Sequence, residues 1–311
     1  MTRFSFLRLA CAMAFLTLLA TAALAQLPAP VNSVMSDIKP GSVLFYPKYT
    51  SNPSSPQTGD TQINMTNTSA NIGISVHLFA IDGSTCSVAD SFVSLTPNQT
   101  ASFLMSDFDP GITGYLVAVA TDAGPTQHNF LIGSEYVRET DGRFAFLPAY
   151  TVARISSAPL TLDVNGNAPL VFNGAEYERL PSVLGLSSFN SQTTDNTQVN
   201  ILSPANNLIT GDAPSTNSLF TLVYDDAERA YSTNVRVVCY NTFNLTSLRV
   251  VGGGGGLNSI VSTGRTGWIR FSTTSRPILG AMISRGPVFN GGHNLHILGL
   301  MNSYTITVPN F

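Results

Sequence analysis

Two carboxylates stand two residues apart in Asp107-Phe108-Asp109-Pro110-Gly111, directly ahead of a turn signal. Oxygen ligands gathered at a loop end suit calcium, which makes Asp107 and Asp109 the metal candidates; Asp before Pro-Gly is equally ordinary turn composition. Asp225 and Asp226 with Glu228 carry the same two readings. Asp163, Asn165 and Asn167 imitate the start of an EF-hand loop. Ala168 stands where that loop requires glycine and no Glu follows at the twelfth position, so a turn is expected there. His293 and His296 are the nearest pair of imidazoles. Residues three apart on one strand face opposite ways, so a shared zinc ion is not expected.

Nucleophilic catalysis has no signature either, since Gly-x-Ser-x-Gly is absent. The five glycines Gly252 to Gly256 lack the lysine and helix start of a phosphate loop and read as an inserted loop tip. Trp268, the one tryptophan, invites a sugar-stacking role. Its match in an internal repeat, set out below, is Tyr115, and an aromatic at the same strand position in both copies is expected to anchor a core. Tyr46 and Tyr49, beside Pro47 and Lys48, are the better candidates for an exposed contact surface, glycan included. The expected function is a non-enzymatic binding or structural role, with a carbohydrate-binding module or glycan-active enzyme and a calcium-stabilised adhesin as the alternatives, and no cofactor is expected beyond the calcium candidate. Past the leader described below, the cysteines are Cys86 and Cys239. One intrachain bridge is open to them, and an exported location permits it; a small buried apolar thiol is the other reading.

Strands must hold these residues. From residue 40 onward, runs such as Ser42 to Tyr46, Ile74 to Ile81, Tyr115 to Ala120 and Ile278 to Ile283 are rich in Val, Ile, Phe and Tyr, with Gly, Pro, Asn and Asp between them. No segment after the leader shows a capped helical period. Leu160 to Phe172 reads as a hairpin closed by Asn165-Gly166, a pair suited to a type I′ turn. Three short sequences recur in order. Ser42-Val43-Leu44 returns as Ser182-Val183-Leu184, Thr61-Gln62-Ile63-Asn64 as Thr197-Gln198-Val199-Asn200, and Thr113-Gly114-Tyr115-Leu116 as Thr266-Gly267-Trp268-Ile269. The chain is expected to hold two diverged copies of one unit, with the second copy's extra length in loops near Asn206 to Asn217 and in the glycine run.

The expected fold is all-β: two tandem immunoglobulin-like antiparallel β-sandwiches of about seven to nine strands each. They span residues 40–154 and 176–311, with a connecting hairpin at 155–175 and a tether at 26–39. In this the chain resembles exported bacterial proteins built from tandem immunoglobulin-like or fibronectin-like sandwiches, a resemblance of pattern that carries over no functional residues.

Arg3 and Arg8, the apolar run Leu9 to Ala22 and then Ala23-Leu24-Ala25 follow the order of a secretory signal peptide at residues 1–25, with cleavage expected after Ala25. The run is short for an anchor, Cys11 lies too near the start for a lipoprotein site, and no later stretch suits a membrane-spanning helix. Losing two arginines and no acids moves the net charge from -3 to -5. Residues 26–158 hold ten acids against five bases, and residues 159–311 hold eight of each, which excludes a basic nucleic-acid footprint. An outer-membrane barrel is not expected, because Pro309, Thr307 and Thr305 share the face of Phe311. The partners expected, in the periplasm, at the cell surface or outside the cell, are a cell-envelope polymer or another protein. The latter would be reached by strand addition from Gln26 to Lys39 or Ser303 to Phe311.

Overall fold

The computed structural model describes residues 33–190, 196–211, 216–250, 256–286 and 290–310. The leader with its Ala25 site, most of the glycine run and Phe311 lie outside the described residues. The described chain is all-β apart from single short turns of helix. The first half carries β1 (Val43–Thr50), β2 (Thr61–Asn67), β3 (Ile74–Asp82), β4 (Val88–Leu95), β5 (Thr100–Leu104), the helical turn α1 (Met105–Phe108), β6 (Thr113–Thr121), β7 (Leu131–Arg138), β8 (Phe144–Pro148) and β9 (Tyr150–Val152). After β10 (Ala168–Val171) the second half carries β11 (Pro181–Asn190), β12 (Asn196–Leu202), β13 (Asn217–Asp225), β14 (Ala230–Val237), β15 (Tyr240–Asn244), β16 (Thr266–Ser272), β17 (Leu279–Arg285), β18 (Asn290–Asn294) and β19 (His296–Leu300), and β20 (Thr305–Val308) closes the chain.

Each half is a pair of antiparallel sheets. The first has the orders β4-β3-β6-β1-β9 and β5-β2-β7-β8; the second has β14-β13-β16-β11-β19 and β15-β12-β17-β18, the same orders with every strand number raised by ten. Irregularities correspond as well. β1 slips against β6 between Tyr46 and Tyr49, and β11 slips against β16 between Leu186 and Phe189. The recurring Thr-Gly pair has a steric cause. A Cβ on Gly114 would lie 1.8 Å from the Ile81 carbonyl oxygen, and one on Gly267 would lie 2.4 Å from that of Tyr224, so neighbouring backbones leave no room for a side chain.

Each sandwich buries the inward side chains of its strands. Leu44, Tyr46, Ile63, Met65, Val76, Leu78 and Leu116 fill the first interior, and Leu184, Leu186, Val199, Ile201, Leu219, Val223 and Phe271 fill the second. A third core joins the halves. The outer face of the first five-stranded sheet, through Val43, Phe45, Phe79, Ile81, Tyr115 and Val117, packs on Leu170, Phe172, Ile306 and Val308 and on Leu202 and Tyr240 of the second half. Away from the β4 edge, where Phe92 is exposed, both faces of that sheet are covered, and β6 is buried without a break from Gly114 to Ala120. Its counterpart β16 alternates, because its outer face has no such cover. The Cys86–Cys239 pair forms a disulfide across the same junction.

Three expectations about the connections are corrected. The residues 155–175 do not form a hairpin: β10 pairs with β20 at the end of the chain, Ala168 opposite Val308 and Val171 opposite Thr305. A strand of alternating apolar residues joins whatever edge buries it, and here that edge is the last strand. Asn165-Gly166 still makes a turn, closed by the Asp163 carboxylate on the Asn165 and Asn167 amides at 2.8 Å each, but only Gly166 has a positive φ, so it is not type I′. Within the Ser303 to Phe311 segment expected as a free strand, Thr305–Val308 is paired with β10 inside its own chain. Residues 33–39, expected within a tether, are docked: Met35 is buried in the third core, and the Ser36 amide donates to the Thr151 carbonyl at 3.1 Å.

Candidate functional site

The bulge in β1 aims Lys48 away from its own sandwich and across the junction. Tyr46 and Tyr49 oppose Leu116 and Gly114, so Pro47 and Lys48 together stand against one residue of β6. The Lys48 ammonium, almost fully buried, reaches Glu139 Oε1 at 2.5 Å, Gln198 Oε1 at 2.7 Å and Asn200 Oδ1 at 3.0 Å. Asn200 Oδ1 also accepts from Tyr240 Oη at 3.1 Å and Thr242 Oγ1 at 2.8 Å. Below this cluster the fully buried Glu135 accepts from the Lys48 amide through Oε1 at 3.2 Å, and its Oε2 has no partner. Burial pushes the Glu135 carboxyl well above the usual carboxylate range, against the pull of the Lys48 amide and ammonium.

Lysine, carboxyl and phenol together at the floor of a cleft of about 820 Å³, walled by Thr50, Asn52, Ser84, Thr113 and Asn241, are the ingredients of acid–base chemistry. Their hydrogen bonds give them another role. Lys48 donates to the Gln198 and Asn200 amide oxygens of the second half and faces the Glu139 carboxylate of the first as an ion pair. The cluster is a joint between the halves. Gln198 and Asn200 belong to the recurring Thr-Gln-x-Asn sequence, which pointed at this spot; in the first half Asn64 Oδ1 accepts instead from Gln62 Nε2 at 2.8 Å and Ser102 Oγ at 2.7 Å.

The open outer face of β14-β13-β16-β11-β19 is the other distinctive surface. Phe220, Trp268 and Leu298 are exposed on it, with Leu222, Tyr224 and Val183 half-buried beside them. The Trp268 and Tyr224 rings stack in parallel, centroids 4.4 Å apart at 5°. The Leu298 side chain lies over Gly185, where a Cβ would meet its Cδ1 at 2.8 Å. Trp268 is thus no core anchor: it is 36% exposed while its match Tyr115 is 0% exposed, because only the first half's outer face is covered. A second apolar strip lies on the outer face of β5-β2-β7-β8, where Ile132, Phe144 and Phe146 are exposed and the Arg138 guanidinium sits 5.9 Å from the Tyr136 ring.

The other anticipated residues fall as follows. Tyr46 and Tyr49 are fully buried, so they form no exposed surface; both point into the sandwich, Tyr46 Oη donating to the Asn64 carbonyl at 3.1 Å. Asp109 accepts from Tyr49 Oη at 2.5 Å, and burial raises its carboxyl; Asp107 is exposed on α1. Asp225 takes the Arg229 guanidinium, with Nε at 2.7 Å, closing the β13–β14 turn, and Asp226 takes that of Arg265 at 2.6 Å, tying that turn to the segment before β16. His293 and His296 do come together, with ring centres 5.6 Å apart, because the chain passes from β18 to β19 at Leu295 and the rings no longer share one strand. Among the described residues no three His, Cys, Asp or Glu side chains converge as metal ligands.

No family model matches the chain, and no curated protein matches it. Two solved structures overlap it, a lectin of Pleurotus ostreatus in its apo form and a lectin of the same fungus in complex with GalNAc. Each is 12% identical with a TM-score of 0.12; the overlaps cover 90% and 91% of this chain and 86% of the lectin chain. A likeness of that size carries no argument.

Proposed function

We propose that the chain is an exported, non-enzymatic protein of the cell exterior that works by binding, through the open outer face of β14-β13-β16-β11-β19. One observation carries the reading. The equivalent face of the first half is buried beneath a third core over β3, β6, β1 and β9 and leaves only the β4 edge with Phe92 exposed, whereas this one holds Phe220, Trp268 and Leu298 in solvent. Apolar side chains gathered on a folded surface, here around the exposed Arg270, mark a contact site, and aromatic residues and arginine concentrate at such contacts. The matching strand orders and bulges support reading each half as an immunoglobulin-like sandwich and the two as one duplicated unit. The leader sequence and the Cys86–Cys239 bridge support export, since disulfides persist in oxidising compartments. A glycan platform is the rival use of these aromatics. It needs ring faces open to the sugar, and Trp268 and Tyr224 each give one face to the other.

Trp268 is the only tryptophan, so its emission reports on this face alone. Emission and sedimentation coefficient are to be followed as protein concentration rises, and then as cell-envelope polysaccharide is added. The expected result is a blue shift in one titration that Phe220→Ser removes. Emission unmoved by either, from a protein that stays monomeric, sinks the reading.

A further inference from the structure

We propose that the occupant of the open face is a second copy of this chain. It docks the outer face of its first-half sheet β5-β2-β7-β8, so that copies add head to tail. The inference rests on the contact surface proposed above and names its partner.

The chain already contains this contact once. Inside one molecule, the outer face of β15-β12-β17-β18 meets the first half in two places: Leu202, Leu279 and Tyr240 join β10 and β20 over the outer face of β4-β3-β6-β1-β9, and Ala281 and Ile283 pack on Val137, Ala145 and Leu147 of β7 and β8. The two surfaces are different, so the contact is heterologous and leaves one of each kind unused. The unused pair are the open face of the second half and the outer face of β5-β2-β7-β8 in the first. A heterologous contact that does not close on itself repeats from copy to copy.

Both unused surfaces carry the mark of a missing neighbour. Strand registers match Leu279 with Ile132 and Gly292 with Phe146. At these positions the used surface is covered by the other half, whereas on the unused one Ile132 and Phe146 stand 40% and 62% exposed. The open face opposite presents Phe220, Trp268 and Leu298. Apolar side chains gathered on these two surfaces would bury one another in a head-to-tail contact.

The internal disulfide supplies a ruler for the test. Cys86 ends the β3–β4 turn at φ 62° and Glu228 holds the same place in the β13–β14 turn at φ 64°. The Cys239 carbonyl accepts from Ser203, and the Gln99 carbonyl accepts from Asn67, each at 2.9 Å, so Gln99 matches Cys239. A chain carrying Glu228→Cys and Gln99→Cys, with its native bridge intact, is oxidised at rising concentration and run on non-reducing gels. The expected result is a ladder of dimer, trimer and higher bands whose new disulfides map to Cys at 228 and 99. Adding Trp268→Asp suppresses the ladder while circular dichroism stays native. A wild-type chain that sediments as a monomer at every concentration, yet binds envelope polysaccharide at Trp268, overturns the second copy and keeps the contact surface. Dimers alone, joined 228 to 228, overturn the head-to-tail order. A monomer whose Trp268 answers to nothing overturns both readings.

Discussion

Lys48 illustrates how much a single bulged residue can hold. Its ammonium is fixed by one oxygen of the first half and two of the second, in a site with almost no solvent. Lys48→Met strips the Gln198 amide oxygen of its donor while Glu139 keeps Arg143 at 3.5 Å, so stability is expected to fall by about 1–3 kcal/mol, read as a shift in urea midpoint. Glu135 gives a prediction in pH. Because burial raises its carboxyl pKa, the native state keeps a proton that the unfolded chain releases. Stability then falls as pH rises through the ordinary carboxylate range, by at most about 1.4 kcal/mol per pH unit, until the native carboxyl ionises as well. Glu135→Gln is expected to flatten that slope between about pH 4 and 7; an unchanged slope in urea titrations contradicts the assignment.

At the scale of elements, the packing of β3 on β6 depends on the absence of a side chain. Gly114→Ala places a methyl within 1.8 Å of a backbone oxygen that has no rotamer to move, so the strands must part. The expected loss is at least about 1–3 kcal/mol, with Gly267→Ala a parallel case in the second half. Chemical denaturation of the two variants checks it. These glycines also show what the sequence could reveal. Strand content was legible because alternating β-branched and aromatic residues fit a half-buried pleat, and the repeat was legible because Thr-Gly recurs wherever this close approach recurs. Covering was not legible. Period-two alternation places Tyr115 and Trp268 on the same outer face, but only the three-dimensional path of the chain, which lays Tyr240 and Ala205 against Tyr115, decides that one is buried and the other exposed. A bulge leaves no mark in composition, so Lys48 read as surface.

The molecule as a whole is joined by a shared core, a polar joint and a disulfide spanning 153 residues. Cross-linking so long a segment stabilises by about 2–5 kcal/mol, chiefly by restricting the unfolded chain. Cys86→Ser with Cys239→Ser is expected to lose about that much and still unfold in one step, because Phe45, Tyr115 and Ile306 tie both halves into one core. Calorimetry of the variant checks this: two resolved transitions mean that the halves are independent.

The pairing of β10 with β20 also orders events in time. A chain is made, and threaded through any export pore, from its N-terminus, so the first half emerges while Thr305–Val308 are still to come. Until they arrive, Phe45, Phe79 and Val117 lack the Ile306 and Val308 side chains that cover them. The nascent protein thus carries a sticky flank for most of its synthesis. A chain cut short before Thr305 keeps that flank for life.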